Sequence, residues 1–239
     1  MIVLGLCLFC GILRAEKVNE LAGRCLGGEK VCLQQNQGGT VKEWATVTAD
    51  SSGHFYFEYF CPDIRIFSLV TVTSGKNLLL VALPGEKTFV DLTGNKPVWK
   101  GDGMERCESI QHYQEEKQRW NKEYPSLLTD IAHYRQNVER QYRASEQYLK
   151  QADLSEEVKG ILRADALAGY YGGLLKLPFW YQLITGVTGE LPEDFYSFLP
   201  SIDLSSPYLR QLGNGCSFLQ DYFIALESEG YLKSEKDDY

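Results

Sequence analysis

The spacing of apolar residues changes once along this chain, near residue 101, and this change constrains the fold more than any other feature. From about Val18 to Lys100 apolar and polar residues alternate, and turn formers interrupt them at short intervals, which is typical of β-strands. After Gly101-Asp102-Gly103 apolar residues recur every three or four positions, as on one face of a helix. The sequence therefore predicts an α+β protein, with an antiparallel β-sandwich-like domain followed by an α-helical region.

Seven short strands fit the first region, separated by glycine, proline and aspartate turns. They are Leu21–Leu26, Val31–Gln35, Val41–Ala49, His54–Phe60, Ile64–Thr73, Leu78–Leu83 and Thr88–Leu92. In the fourth, aromatic rings fall on both faces from Phe55 to Tyr59, so we expect a central strand. Such rings would also suit a sugar-binding face, although core packing is their commoner use in a sandwich.

Two long helices are predicted next, followed by several short ones. An apolar stripe runs from Met104 to Tyr124 and ends at Pro125, and a second stripe runs from Leu128 to Leu149; we expect the two helices to pair. Ser155 is a good N-cap for a third helix. Beyond it the expected helix starts are Pro192 and Pro207, and the expected stops are Gly172-Gly173 and Gly213-Asn214-Gly215.

An apolar, uncharged run from Ile2 to Leu13 precedes Arg14 and Ala15. A membrane-spanning helix needs about twenty residues, and this shorter run is typical of an export signal. We therefore predict a signal peptide at 1–15, a β-sandwich-like domain at 16–100 and an α-helical region at 101–239, with a buried first strand as the alternative for the apolar run. The expected location is periplasmic or exported; attachment to the cell envelope as a lipoprotein is the alternative.

Charge excludes two classes of partner. The chain has 24 Lys+Arg against 32 Asp+Glu, a net charge of -8, and no basic block. Phosphate-rich partners need clustered positive charge. Nucleic acid and anionic membrane surfaces are therefore poor partners, and no integral membrane segment is expected in the mature chain.

Five cysteines follow the predicted signal peptide: Cys25, Cys32, Cys61, Cys107 and Cys216. Cys25 and Cys32 flank Gly27-Gly28, and a hairpin with a four-residue loop would place them opposite each other for a disulfide, whereas a two-residue loop would not. Cys216 lies at the start of the last predicted helix, where a helix N-terminus favours the thiolate. It is therefore the best candidate for a reactive thiol, with a buried and inert thiol as the alternative.

No complete catalytic or metal-binding constellation is found in the sequence. The three histidines, His54, His112 and His133, lack metal-ligand spacing. The phosphate-binding loop, the dinucleotide fingerprint and the Gly-x-Ser-x-Gly elbow are all missing. We therefore expect no catalytic residue, no metal and no cofactor, and a chain without catalytic activity of its own.

A dense group of aromatic residues surrounds Pro178 in the helical region. Its members are Tyr170, Tyr171, Phe179, Trp180 and Tyr181. Rings grouped in this way can line a ligand cleft, and they can equally fill the core between helices. The group is the candidate binding cleft of this sequence.

The order of these features resembles a known family. An export signal, a β domain containing Asp50-Ser51-Ser52-Gly53-His54-Phe55-Tyr56-Phe57 and Leu83-Pro84-Gly85-Glu86-Lys87, and Gly101-Asp102-Gly103 before helices look like the N-terminal accessory region of secreted bacterial TlpA-like thiol-disulfide oxidoreductases. The closing stretch, from Asp194-Phe195-Tyr196 through Ser206-Pro207-Tyr208 to Asp221-Tyr222-Phe223, is similar to the helical part of those proteins.

The resemblance implies an accessory role without catalysis. In that family a thioredoxin-fold domain after this region carries Trp-Cys-x-x-Cys, and this sequence contains no such motif. The leading hypothesis is a non-catalytic periplasmic accessory or interaction module. One alternative is a component of a thiol-disulfide redox system that works with a thioredoxin-fold protein absent from this chain. A further alternative is a protein that binds a small ligand or glycan.

Overall fold

The computed structural model describes residues 18–37, 39–125, 130–186 and 194–229. The signal peptide predicted at 1–15 lies outside these residues. Within them the fold is α+β, with two four-stranded sheets in the first half and helices in the second. The predicted fold class is thus confirmed.

Eight strands form the two sheets. They are β1 (Val18–Arg24), β2 (Lys30–Gln37), β3 (Thr40–Thr48), β4 (His54–Phe60), β5 (Arg65–Thr71), β6 (Asn77–Ala82), β7 (Lys87–Asp91) and β8 (Val98–Gly101). Sheet A has the order β4-β1-β7-β8, and sheet B has the order β3-β2-β5-β6. All pairings are antiparallel except that of β1 with β7.

Two predictions about the strands are wrong. The strand β4 is an edge strand of sheet A, not a central one. Strands β1 and β2 belong to different sheets, so they form no hairpin. In both cases the alternation of residues identifies the faces of a strand and leaves its neighbours undetermined.

Four helices follow the sandwich. They are α1 (Met104–Glu123), α2 (Ile131–Gln151), α3 (Glu156–Thr185) and α4 (Gly213–Ser228). The two predicted long helices are present as α1 and α2, and α1 ends just before Pro125 as expected. Ser155 caps α3, since its side chain accepts a hydrogen bond from the amide of Val158 at 3.3 Å.

The third helix is longer than the glycine signals predicted, because α3 continues through Gly172-Gly173 and contains Pro178. The two glycines permit close packing. A Cβ at Gly173 would lie 3.1 Å from the hydroxyl of Tyr134, and one at Gly172 would lie 3.5 Å from the Cβ of Phe218. Tertiary packing against α2 and α4 therefore outweighs the low helix propensity of glycine.

Gly213-Asn214-Gly215 was predicted to end a helix, and it begins α4 instead. A Cβ at Gly215 would lie 2.1 Å from the carbonyl oxygen of Leu209. This glycine lets the first turn of α4 approach the preceding backbone. Pro207 lies in a turn rather than at a helix start, and Pro192 lies outside the described residues.

Two large hydrophobic cores and a smaller one between helices organise the described residues. The sandwich core lies between the sheets and includes Leu21, Phe57 and Trp99. The helical core also includes Ile66 and Val81 of sheet B. Helical residues therefore cover part of the outer face of sheet B.

The helix α1 is joined to the sandwich by a partly buried ion pair. The Arg106 guanidinium contacts the Glu86 carboxylate in the turn between β6 and β7, and it also donates to the carbonyl of Val81 at 3.0 Å. Glu86 accepts a hydrogen bond from the amide of Leu83 at 2.8 Å. This network holds the first turn of α1 against the turn between β6 and β7, in which the chain passes from sheet B to sheet A.

Candidate functional site

The cysteine thiols are buried. All five cysteines of the described region are free thiols. Burial raises the pKa of Cys61 to about 11 and that of Cys107 to about 12. Burial and the nearby Glu29 carboxylate raise the pKa of Cys25. Because the thiolate is the species that attacks a disulfide, these three thiols are poor nucleophiles near neutral pH.

Cys216 lies in the first turn of α4, as predicted, and its side chain is 9% exposed. Its Sγ accepts a hydrogen bond from the Asn36 amide at 3.1 Å and donates to the Arg210 carbonyl at 3.3 Å. The same Asn36 amide donates to the Leu212 carbonyl at 2.9 Å. The thiol therefore helps join β2 to the helical region, which is a structural contact.

The possible bridge between Cys25 and Cys32 required a hairpin of β1 and β2, which is not formed. Cys25 contacts the carbonyl of Gly53 at 3.7 Å and belongs to the sandwich core. Cys32 lies in β2, within the other sheet. Both thiols are free in this structure.

Each histidine has a neighbour of its own. His54 lies 3.7 Å from the Asp50 carboxylate, His133 lies 2.7 Å from the Asp130 carboxylate, and the His112 ring contacts Tyr148. Across the described residues, no group of three or more His, Cys, Asp or Glu side chains is arranged to hold a metal ion. No described helix is both long and apolar enough to cross a bilayer.

A cavity of about 360 Å³ lies among α1, α2 and α3. Trp120, Tyr142 and Tyr170 supply aromatic walls, and the Tyr142 and Tyr170 rings stack with centroids 4.8 Å apart. Lys117 also lines the cavity, and its ammonium is 2.5 Å from the buried Asp165 carboxylate. The ion pair offsets the charge of Lys117, and Asn121, Gln141 and Ser145 also line the cavity, so its walls combine aromatic and polar groups.

The structure divides the predicted aromatic cleft into two parts. Tyr170 and Tyr171 contact each other, and together with Tyr181 they pack against a small helical core. Phe179 is 63% exposed and Trp180 is 41% exposed, and their rings are 5.3 Å apart. The five residues therefore do not line one cleft.

Six large apolar side chains are exposed towards the ends of α3 and α4, and we name this group the helix-end patch. Its members, all between 41% and 63% exposed, are Phe179, Trp180, Leu183 and Ile184 of α3 and Phe223 and Ile224 of α4. Leu183, Ile184, Phe223 and Ile224 were not among the candidate residues of the sequence, because apolar residues at helical spacing do not reveal whether they face the core or solvent.

The two helices place these residues at the same end. Asn214 bonds Asp165 at 2.9 Å near the start of α4, and further along Lys176 pairs with Asp221 at 3.3 Å. Residue numbers rise together along both helices, so α3 and α4 run parallel. The patch residues follow the Lys176–Asp221 pair on both helices. Large apolar side chains exposed together at one end of neighbouring helices are typical of binding sites in soluble proteins.

A comparison with models of known protein families gave no match, and a search of curated proteins found no relative. The assignment of function therefore depends on the surfaces and thiols described above.

Proposed function

We propose that this chain is an exported, non-catalytic interaction module that binds a thioredoxin-fold protein supplied as a separate chain. The helix-end patch is the single observation that carries the proposal. Six apolar side chains on parallel helices face solvent there, and their exposure costs free energy that a partner would recover on binding.

The acidic residues beside the patch define the chemistry of the partner. Asp221 is paired with Lys176, whereas Glu227 and Glu229 are exposed near the end of α4. A partner surface with an apolar centre and a basic rim complements this arrangement. We assign that surface to the thioredoxin-fold protein, because the family resemblance places such a domain beside this region.

The thiols support a role without electron transfer by this chain itself. Burial keeps Cys61 and Cys107 protonated near neutral pH, and Cys216 is engaged by Asn36 and Arg210. Reduction of a partner disulfide would need an accessible thiolate. The chain is therefore proposed to position its partner rather than to exchange disulfides.

Titration calorimetry with the thioredoxin-fold domain of a TlpA-like oxidoreductase tests the proposal. We expect saturable binding, weakened at least about tenfold by Phe179→Glu or Ile224→Glu, because each places an unpaired charge in an apolar interface. Val72→Glu is the matched control, since Val72 is 58% exposed in the β domain, and it should leave the affinity unchanged.

Three outcomes would contradict the proposal. One is the absence of binding, and another is equal binding by the patch variants. The third is a concentration-dependent dimer that Phe179→Glu abolishes, which would show that a second copy covers the patch. An insulin-reduction assay tests the absence of catalysis separately: we expect no turnover, and turnover that requires Cys216 would overturn this part.

A further inference from the structure

The outer face of sheet A carries a row of aromatic side chains that the proposed function does not use. Alternate residues of each strand point away from the sandwich core, and the strand register fixes their neighbours. Tyr56 of β4 pairs with Ala22 of β1, Ala22 pairs with Phe89 of β7, and Phe89 pairs with Lys100 of β8. Two rings therefore stand on one line across the strands, separated by a methyl group.

One ring of the row is exposed, the other is partly covered, and the spacing of the strands sets the distance between them. Tyr56 is 48% exposed, and Phe89 is half-buried beneath the Lys100 ammonium, which lies 5.8 Å from the ring centroid. Tyr56 and Phe89 are two strands apart, which corresponds to roughly 9.5 Å. The small Ala22 lies between them in the register, so no large side chain separates the two rings.

Charged side chains surround this row, and their charges balance. The cations are Arg24, Lys87 and Lys100, and the anions are Glu20, Glu58 and Asp91. The Lys87 ammonium lies 2.5 Å from the Glu20 carboxylate. The Tyr56 hydroxyl lies 3.5 Å from Glu58, and Asp91 accepts two hydrogen bonds from Thr93. The face therefore offers many hydrogen-bonding groups and no net charge.

Two aromatic rings beside balanced charges favour one chemical class of ligand over others. A protein interface concentrates its apolar residues in a core depleted of charge, whereas ion pairs adjoin the rings here. A nucleic acid strand would also stack on aromatic rings, but it requires a positive groove. A neutral sugar chain matches both features, because the C–H face of a pyranose packs on an aromatic ring while its hydroxyls bond to charged side chains.

We infer that the outer face of sheet A is a binding site for a neutral, extended, β-linked glycan that crosses the strands from Tyr56 to Phe89. The distance between the rings suits about two pyranose units of an extended chain. The two rings stand on one line across the strands, and a strongly coiled chain turns successive sugar units away from such a line. The site is independent of the helix-end patch.

Calorimetric titration with β-1,4-linked glucohexaose, chitohexaose, α-1,4-linked maltohexaose and polygalacturonate tests this inference. At least one of the two β-linked hexaoses should bind, and maltohexaose and polygalacturonate should not. Tyr56→Leu and Phe89→Leu should each weaken binding about tenfold, because leucine keeps apolar bulk and removes the ring. Tyr56→Phe should retain most of the affinity.

Trp44→Ala provides the matched control. Trp44 is 43% exposed and aromatic, and it lies on β3, the edge strand of sheet B. Its removal should leave glycan affinity unchanged, with folding of every variant checked by thermal melting. The inference is overturned if neither β-linked hexaose binds at millimolar concentration, if Tyr56→Leu and Phe89→Leu both bind normally, or if the charged polymer binds best.

Discussion

The outer faces of the two sheets differ although both sheets contribute to one sandwich core. On sheet B, Ile66 and Val81 face outward and are buried among helical residues. On sheet A, Tyr56 and Phe89 face outward beside balanced charges, and Tyr56 is exposed. The covered part of sheet B thus carries aliphatic side chains, whereas sheet A exposes aromatic rings and ion pairs together with Val18 and Val98.

Desolvation explains this difference. A helix packed on sheet A would remove the Lys87–Glu20 pair from water, and burial of such charges costs more than their mutual attraction returns unless every remaining donor and acceptor is satisfied. Aliphatic residues on sheet B carry no such cost. The uncovered sheet therefore suits a hydrated, polar ligand, and the covered sheet suits permanent packing.

The largest expected effect concerns the ion pair between Arg106 of α1 and Glu86, which lies in the turn from β6 of sheet B to β7 of sheet A. Arg106→Met leaves the Glu86 carboxylate partly buried without its ion-pair partner, where both side chains are 14% exposed. We expect a loss of about 3–5 kcal/mol in the free energy of unfolding, measured by urea denaturation. Arg143→Met, which breaks a pair whose two side chains are 77% and 45% exposed, should cost less than about 0.5 kcal/mol. Equal losses in the free energy of unfolding for the two variants would show that the Arg106–Glu86 pair stabilises the fold no more than an exposed pair does.

The second prediction compares the two outer faces directly. Ile66→Ala on sheet B should lower the free energy of unfolding by about 2–5 kcal/mol, because it leaves a cavity against the helical core. Tyr56→Ala on sheet A should lower it by less than about 1 kcal/mol, since the ring is largely solvated. Urea denaturation of both variants provides the measurement. A larger loss for Tyr56→Ala would reverse the assignment of covered and uncovered faces.

The third prediction tests whether water is excluded from the core between the sheets. Cys107 packs in that core, and burial raises its pKa from 9.0 to about 12. Because the pKa is higher in the folded state, the stability from the protonated thiol is fully present below pH 9.0 and is lost as the pH rises towards about 12. The free energy of unfolding should therefore decline above pH 9.0.

Urea denaturation over this pH range, with Cys107→Ala as the comparison, measures the contribution of the thiol. The variant should show a shallower decline. Iodoacetamide should modify Cys107 only after unfolding, because the buried thiol stays protonated. Rapid modification of the native protein would show that the core admits solvent at this position.

The sequence predicted the sandwich better than it predicted the helical region. Turn formers mark strand ends locally, and Gly53 adopts a φ of +84° where a Cβ would lie 2.2 Å from the Cys25 carbonyl. The length of α3 depends instead on contacts with Tyr134 and Phe218 at Gly172-Gly173, and such distant contacts leave no local signal.

The sites were less predictable than the fold. Pairing of β1 with β4 and β7 decides that Tyr56, Ala22 and Phe89 form one row, and alternation alone cannot supply strand order. Likewise, Phe179 and Trp180 were recognised as aromatic residues, but their exposure follows from how α3 packs on α4. Residues that are neighbours in sequence around Pro178 therefore do not all line one cleft.

The most direct test of the contrast between the sheets is a two-dimensional NMR titration of the amide resonances with chitohexaose and β-1,4-linked glucohexaose. We predict that at least one of them shifts resonances of β4, β1 and β7, centred on Tyr56, Ala22 and Phe89, and that β5, β6 and the helices stay unchanged. Shifts centred on sheet B or the helices, or no shift with either sugar at saturating concentration, would contradict the account.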